Sequence, residues 1–87
     1  TITTSYSYYL WSIINFPDGI INNGNSTITI ATQSNNINNG KIYNFEDGVI
    51  NNLGTITNTG EINNADGTST CGTGVIMGFT PTGNLCP

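Results

Sequence analysis

The chain has 87 residues and a net charge of −4, and 7% of its residues are charged, against roughly a quarter in an ordinary soluble domain. It has one lysine, Lys41, and neither arginine nor histidine, which excludes the basic surface that nucleic acid or anionic lipid headgroups require. Its length allows one small domain with a thin core.

The composition predicts the secondary-structure class of the protein. No apolar run approaches the ~20 residues of a membrane-spanning helix. Helix periodicity is nearly absent, whereas Ile and Thr suit strands and Asn and Gly suit tight turns. The chain starts with Thr1 rather than methionine, as expected of a precursor cut by signal peptidase, although an excerpt of a longer chain would look the same. We expect an all-β protein that is secreted and lies outside the cell or on its surface.

The first predicted element is one long strand over residues 1–16, because this segment contains no glycine, proline or charged residue. Its second half is apolar or aromatic on both faces, so something must cover it. It is either the first strand or lid of its own domain, or a donor strand that completes the sheet of an identical subunit. In the second case the polymerisation contacts are Tyr6, Tyr8, Tyr9, Leu10, Trp11, Ile13, Ile14 and Phe16.

Residues 17–70 form a second segment, a β-domain rich in Asn, Gly and Ile that repeats itself. FPDGIINNG at 16–24 returns as FEDGVINNLG at 45–54. A six-residue repeat follows in INNLGT, ITNTGE and INNADG from residue 50 onward. Short fixed periods are typical of solenoids, and one hexad fits one strand and one corner. This predicts that Ile50, Ile56 and Ile62 point inward from successive faces while Asn and Gly make the bends.

Other architectures use the same residues. Asn-Gly at 23–24 and 39–40, and Asp-Gly at 18–19, 47–48 and 66–67, are strong signals for hairpin turns. The irregular spacing between Ile20 and Ile42 favours hairpins or a compact β-sandwich, whereas the hexads favour a short β-solenoid. The even spacing of the aliphatic residues speaks against disorder. Sequence alone leaves solenoid and sandwich open.

The third segment, residues 71–87, contains one apolar strand, VIMGF at 75–79, and both cysteines. Cys71 and Cys86 predict one disulfide, because a metal site would need further ligands that a chain without histidine does not supply. The bridge favours an oxidising, extracellular compartment. We expect it to clip a last strand and a tail onto the repeat domain.

Residues able to carry out catalysis are few. Glu46 and Asp47 are adjacent, so they point to opposite faces of a strand, and turn formation accounts for Asp18 and Asp47 before their glycines. Without histidine no serine or threonine is credible as an activated nucleophile. We predict no enzyme, no cofactor and no metal centre. The sequon Asn25-Ser26-Thr27 makes Asn25 a candidate for glycosylation.

The segment GTITNTGEINN, with VINNLG before it, resembles the Gly-x-Ile-x-Asn repeats of bacterial, archaeal and giant-virus surface proteins. The resemblance covers residues 37–67. It implies a β-helical stalk, adhesin or fibre, and no catalytic or binding residue transfers from it. Because this chain has few repeat units, the resemblance implies a short repeat-bearing subunit rather than a long stalk.

Together these observations predict a structural subunit of a secreted extracellular filament, pilus-like or fibrous, that polymerises with identical copies by β-strand addition. A head-to-tail contact that does not close on itself builds such a filament. The alternative is a monomeric adhesin or carbohydrate-binding β-domain whose flat Asn/Thr face contacts surface glycans. An ice-binding face is disfavoured because Thr27, Thr29, Thr55 and Thr57 are too few to form an array.

Overall fold

The computed structural model describes residues 2–3, 13–83 and 85–86, and every regular element within these ranges is a β-strand. The strands are β1 (Ile2–Thr3), β2 (Ile14–Asn15), β3 (Ile20–Gly24), β4 (Thr27–Ile30), β5 (Asn35–Asn38), β6 (Lys41–Phe45), β7 (Val49–Asn52), β8 (Thr55–Asn58), β9 (Glu61–Asn64), β10 (Ser69–Cys71) and β11 (Val75–Gly78). The prediction of an all-β protein is confirmed.

The chain winds as a β-solenoid of about three turns. Successive strands enter three sheets in turn: the first sheet is β1-β4-β7-β10, the second β2-β5-β8-β11 and the third β3-β6-β9. Every pair of these strands is parallel, and each strand pairs with the one a full coil earlier or later. A hairpin would join antiparallel strands that are neighbours in sequence. Of the architectures left open by the sequence, the structure is therefore the solenoid.

The later coils are regular in length. Thr55 of β8 pairs with Val75 of β11, and Lys41 of β6 pairs with Glu61 of β9, so the two sheets advance along the chain by the same step. Strands β7, β8, β9 and β10 begin at residues 49, 55, 61 and 69, so a wider corner separates the last two. Earlier coils are longer, and Ile14 pairs with Ile37. The irregular early spacing in the sequence thus reflects longer corners in the same solenoid.

The duplication of FPDGIINNG is not the structural period. Its two copies, residues 16–24 and 45–54, each contain one corner and the strand that follows it. Those strands lie in different sheets, because β3 belongs to the third sheet and β7 to the first. Asp18 and Asp47 therefore occupy different corners of the solenoid. The duplication repeats a local corner-and-strand unit rather than a full turn.

The apolar core of the described residues consists of buried isoleucines: Ile28, Ile30, Ile42, Ile50, Ile56 and Ile62. Those at 50, 56 and 62 come from β7, β8 and β9, which belong to three different sheets. The prediction that the hexad points them inward from successive faces is confirmed. Burial of each such side chain stabilises the fold by about 1.5–3 kcal/mol.

Asparagine fills much of the remaining interior. Asn52, Asn58 and Asn64 follow the hexad isoleucines by two positions, share their inward face and are at most 8% exposed. The expectation that asparagines of the repeat make the bends is wrong for these positions. The alternation of a strand turns both Ile and the second Asn inward, and the chain bends after them.

The amino-terminal segment differs from the single long strand predicted for residues 1–16. Ile2–Thr3 pair with β4 in the first sheet, whereas Ile14–Asn15 pair with β5 in the second. Both described ends of the segment therefore belong to the solenoid of their own chain. The predicted contacts Tyr6, Tyr8, Tyr9, Leu10 and Trp11 lie outside the described residues.

The carboxy-terminal segment continues the solenoid, because β10 and β11 extend the first and second sheets. The predicted disulfide is present: Cys71 is bonded to Cys86, and their Cα atoms are 4.8 Å apart. A bridge of this kind is consistent with an oxidising compartment. In the ranges that the structure covers, no helix has the length and apolarity needed to cross a membrane.

Candidate functional site

A ladder of buried asparagines runs along the inner face of the second sheet. Asn15 donates from Nδ2 to Oδ1 of Asn38, and Asn38 donates in the same way to Asn58, each at 2.9 Å. Nδ2 of Asn38 also donates to the carbonyl of Gly40 in the following corner and to that of Glu61 at the start of β9, at 3.3 and 3.0 Å. The ladder therefore ties each corner to the next coil and satisfies amide groups that burial would otherwise penalise.

The third sheet carries a second ladder of the same polarity. Asn23 donates from Nδ2 to Oδ1 of Asn44 at 2.9 Å, and Asn44 donates to Asn64 at 3.0 Å. Oδ1 of Asn64 also accepts from the Thr70 hydroxyl at 3.0 Å. Its Nδ2 is buried and has no hydrogen-bond partner among the described residues. The ladder thus presents an acceptor at the amino-terminal end of the solenoid and a donor at the carboxy-terminal end.

The first sheet has no ladder among its described residues. Its equivalent column consists of Ile30, Asn52 and Gly72, as the strand register requires. Asn52 instead bonds to the main chain: Nδ2 donates to the carbonyl of Val75 in the next coil at 3.1 Å, and Oδ1 accepts from the amide of Gly54 at 3.2 Å. In the part of the chain that the structure covers, ladders of side-chain amides therefore run through two of the three sheets.

All three inward columns end in a glycine at the carboxy-terminal end. Gly72, Gly78 and Gly83 have φ angles of 110°, 88° and 82°, a region that favours glycine. A Cβ at any of them would overlap the main-chain carbonyl oxygen of the asparagine one coil earlier. No asparagine can continue a ladder at these positions without a backbone shift.

A tail cap, which we define as residues 79–83 and 85–86, covers part of this end. Thr82 pairs in parallel with Asn63 of β9. Its amide donates to the carbonyl of Ile62 at 2.9 Å, and its carbonyl accepts from the amide of Asn64 at 3.0 Å. Pro81 is buried and lies in register with Ile62. The cap therefore occupies the edge of the third sheet.

The cap also reaches the first sheet. Leu85 pairs in parallel with Thr70, and the amide of Cys86 donates to the carbonyl of Thr70 at 3.2 Å. The disulfide to Cys71 fixes this contact covalently. The second sheet differs, since β11 is its last strand and no described residue pairs with the outer edge.

Exposed apolar side chains concentrate at the two ends of the solenoid. Nine large hydrophobic residues are exposed in the ranges described, and only Ile37 and Leu53 lie in its middle. The others lie in or beside β2 and β3, or in β11 and the tail cap: Ile14, Phe16, Ile20, Val75, Met77, Phe79 and Leu85. Each end therefore combines apolar surface with a sheet edge.

The structure separates the predicted polymerisation contacts that it describes. Ile13 is half-buried and packs against the core, and its amide donates to Oδ1 of Asn36 at 2.9 Å. Ile14 and Phe16 are 57% and 70% exposed. Ile13 therefore belongs to the core of its own chain, whereas Ile14 and Phe16 are accessible to a neighbour.

Other predicted positions lie on the outside. Asn25 is exposed in the corner between β3 and β4, with a φ of 51°, so a glycan there would project into solvent. The threonines considered for an ice-binding array are divided between sheets, with 27 and 29 in the first and 55 and 57 in the second. They therefore share no common face.

The sequence predicted a tail clipped on by the disulfide, but neither its pairing with the two sheets nor the asparagine ladders inside the solenoid. The ladders have a sequence signal, because Asn two positions after an inward Ile shares its face of the strand. The pairing of Thr82 with Asn63 has no such signal, since it depends on how the last coil closes.

The chemistry that the arrangement offers is backbone pairing and apolar contact at its two ends. Isoleucines, Asn36 and the ladder residue Asn38 line an interior cavity of about 20 Å³, which has the volume of about one water molecule. Within the described ranges no three His, Cys, Asp or Glu side chains come together. Comparison of this chain with protein-family models, with curated proteins and with solved structures found no match.

Proposed function

We propose that this protein is a structural subunit of a secreted extracellular filament, in which identical copies join end to end by β-strand addition. The observation that carries the proposal is the concentration of exposed apolar side chains at the two ends of the solenoid. A parallel solenoid ends in sheet edges, and an unpaired edge beside apolar surface favours pairing with another chain.

In this proposal the contact between copies forms at the edges of the second sheet. Its edge strands are β2 at one end and β11 at the other. Ile14, Ile37, Thr57 and Met77 form one outward row across it. A second copy whose β2 pairs with β11 would continue the sheet and bring its Ile14 beside Met77. The contact joins unlike ends, so it repeats along a filament instead of closing.

Three further observations support the proposal. The disulfide suits a secreted protein, and the resemblance to Gly-x-Ile-x-Asn surface proteins agrees with a fibre. The aromatic residues at 6, 8, 9 and 11 immediately precede β2 in sequence, so they remain predicted contacts at the same edge. The proposal assigns the chain no catalytic role and no cofactor.

The test compares two substitutions in one outward row. Met77→Lys places a charge at the edge strand, where the residue is 55% exposed, and Ile37→Lys makes the matched change in mid-sheet, where the residue is 40% exposed. Burial of a lysine at a strand contact costs about 1–3 kcal/mol, so we expect Met77→Lys to raise the concentration needed for assembly about tenfold or more. Ile37→Lys should leave it nearly unchanged. Sedimentation velocity and electron microscopy of the oxidised protein measure both.

Two results would overturn the proposal. If both variants assemble like the parent chain, the contact does not use the β11 edge. If the oxidised parent sediments as a monomer at every concentration, the filament is wrong, and retention on a polysaccharide column would then support the monomeric adhesin or carbohydrate-binding domain.

A further inference from the structure

We infer that the tail cap supplies a donor strand: in the filament, Leu85–Cys86 of one copy takes the place of β1 in the next copy and pairs with its β4. The inference rests on the proposed function, because it assumes that β2 of the second copy pairs with β11. To that contact in the second sheet it adds a second one in the first sheet, formed by the end of the chain rather than by its beginning.

Leu85 occupies the register position of Ile2. The residues that pair with one another along this column of the first sheet, in parallel throughout, are Ile2, Ile28, Ile50, Thr70 and Leu85. Leu85 therefore begins a further coil at the position where Ile2 lies in the first coil. A second copy that continues the solenoid brings its own Ile2 to the same place.

Two segments thus compete for one position when copies join. If β2 of the second copy pairs with β11 in the existing register, β1 of that copy falls beside β10, where Leu85–Cys86 already lies. The cap is bonded covalently to Cys71 of β10, whereas β1 has only two residues, so β1 is the segment that leaves. In the third sheet β3 of the second copy lies beyond Thr82, and no other described strand is displaced.

The backbone of the cap has the orientation that this exchange needs. In a parallel sheet a residue directs its amide and carbonyl to the same neighbouring strand, and alternate residues face opposite neighbours. The amide of Cys86 donates to the carbonyl of Thr70, so Cys86 faces β10 and Leu85 faces the open edge. Its amide would donate to the carbonyl of Thr27 in the next copy, and its carbonyl would accept from the amide of Thr29. Within the subunit the register assigns both groups to β1.

The side chain of Leu85 fits the inward face of the next copy. Its partner Thr70 is buried, and paired residues of a sheet share a face, yet Leu85 is 46% exposed because no described coil lies beyond it. In the filament Ile28 of the second copy, a core residue, would cover it. Residues 67–87 have no charged side chain, so none in this segment repels Asp18 in the first coil of the incoming copy.

The first test changes the donor in the oxidised full chain. Leu85→Lys places a charge against Ile28 of the next copy, and Leu53→Lys makes the matched change at a corner in the middle of the solenoid, where the residue is 38% exposed. We expect Leu85→Lys to raise the concentration needed for assembly about tenfold or more, because the lysine would be buried at the contact. Leu53→Lys should leave it nearly unchanged. Sedimentation velocity measures both.

The second test weakens the competing segment and has the opposite sign. Ile2→Pro removes the amide hydrogen that β1 directs to β4, so β1 detaches more easily and leaves β4 open to the cap of another copy. We expect this variant to assemble at about one fifth of the concentration that the parent chain needs. Thr3→Pro is the matched control, since the same alternation directs the amide of Thr3 away from β4, and it should assemble like the parent.

The inference is overturned if Leu85→Lys assembles like Leu53→Lys while Met77→Lys is impaired, because the filament then uses the second sheet alone. It is equally overturned if Ile2→Pro assembles less readily than the parent while circular dichroism shows it folded. In that case β1 of the second copy pairs with β10, and the tail moves aside. A parent chain that stays monomeric at every concentration overturns the proposed function, and this inference with it.

Discussion

At the scale of single residues, the interior depends on amides as much as on hydrocarbon. Asn38 stands in the middle of the second-sheet ladder, accepts from Asn15 and donates to Asn58. If this side chain turned outward, Oδ1 of Asn58 would lose its hydrogen-bond donor and Nδ2 of Asn15 would lose one of its acceptors. Each buried asparagine therefore specifies the register of its strand as well as filling space.

This gives a prediction for Asn38→Ala. The substitution leaves the Oδ1 of Asn58 without its hydrogen-bond partner, and a buried orphan of this kind costs about 1–3 kcal/mol. It also removes the donor to two main-chain carbonyls, whereas Nδ2 of Asn15 keeps its two carbonyl acceptors. We expect the free energy of unfolding to fall by about 3 kcal/mol, measured by urea titration followed by circular dichroism. Asn63→Ala is the control, because this residue faces outward, and its cost should stay below about 0.5 kcal/mol. Similar losses for the two variants would contradict a stabilising ladder.

At the scale of the strand and corner, the solenoid tolerates length changes only where the chain bends. Lys41 pairs with Ile20 on one side and with Glu61 on the other. The chain from Ile20 to Lys41 is one residue longer than the chain from Lys41 to Glu61. Corners therefore absorb an extra residue. A strand cannot, because a shift of one position moves every inward side chain to the outer face.

The matching prediction compares two single-glycine insertions. An insertion after Ile56 in β8 turns Asn58 outward and breaks the second-sheet ladder, so we expect a loss above about 3 kcal/mol or no folding. An insertion after Asp66, in an exposed corner, should cost less than about 1 kcal/mol. Thermal and urea unfolding measure both. A corner insertion as damaging as the strand insertion would show that corner length is fixed.

At the scale of the whole molecule, the net charge of −4 with a single lysine opposes association of copies. The ion pair of Lys41 with Glu61, at 3.9 Å, is exposed and contributes little. Assembly by strand pairing and apolar contact must therefore overcome mutual repulsion. Salt that screens this repulsion should therefore favour assembly.

We accordingly predict a salt dependence of assembly. Raising NaCl from about 10 to about 150 mM shortens the Debye length from about 30 to about 8 Å and should lower the concentration needed for assembly severalfold. Light scattering at both salt concentrations measures the change, with a neutral osmolyte as the control. Weaker assembly in salt would mean that ion pairs between copies hold the filament together, which this proposal does not include.

The local pattern of the sequence predicted much of the fold. Ile50, Ile56 and Ile62 point inward, as strand alternation and the six-residue repeat predict. Both patterns are local, so the sequence alone shows them. Alternation also turns Asn52 inward, two positions after Ile50, whereas the expectation from composition that asparagine makes the bends fails there. The edge contacts depend on pairing between distant segments, so Ile13 is core and Ile14 is exposed for reasons that no local pattern contains.

The sequence by itself determined an all-β chain, a thin isoleucine core and the Cys71–Cys86 bridge, because alternation along a strand is local and two cysteines allow one pairing. Only the tertiary structure decided between parallel coils and antiparallel hairpins. Both use the same hexads, and the choice depends on whether a strand meets its neighbour in sequence or the strand one full coil away. It likewise decided the two ladders, the glycine-terminated columns and the tail cap, since each exists only where residues from different coils are stacked.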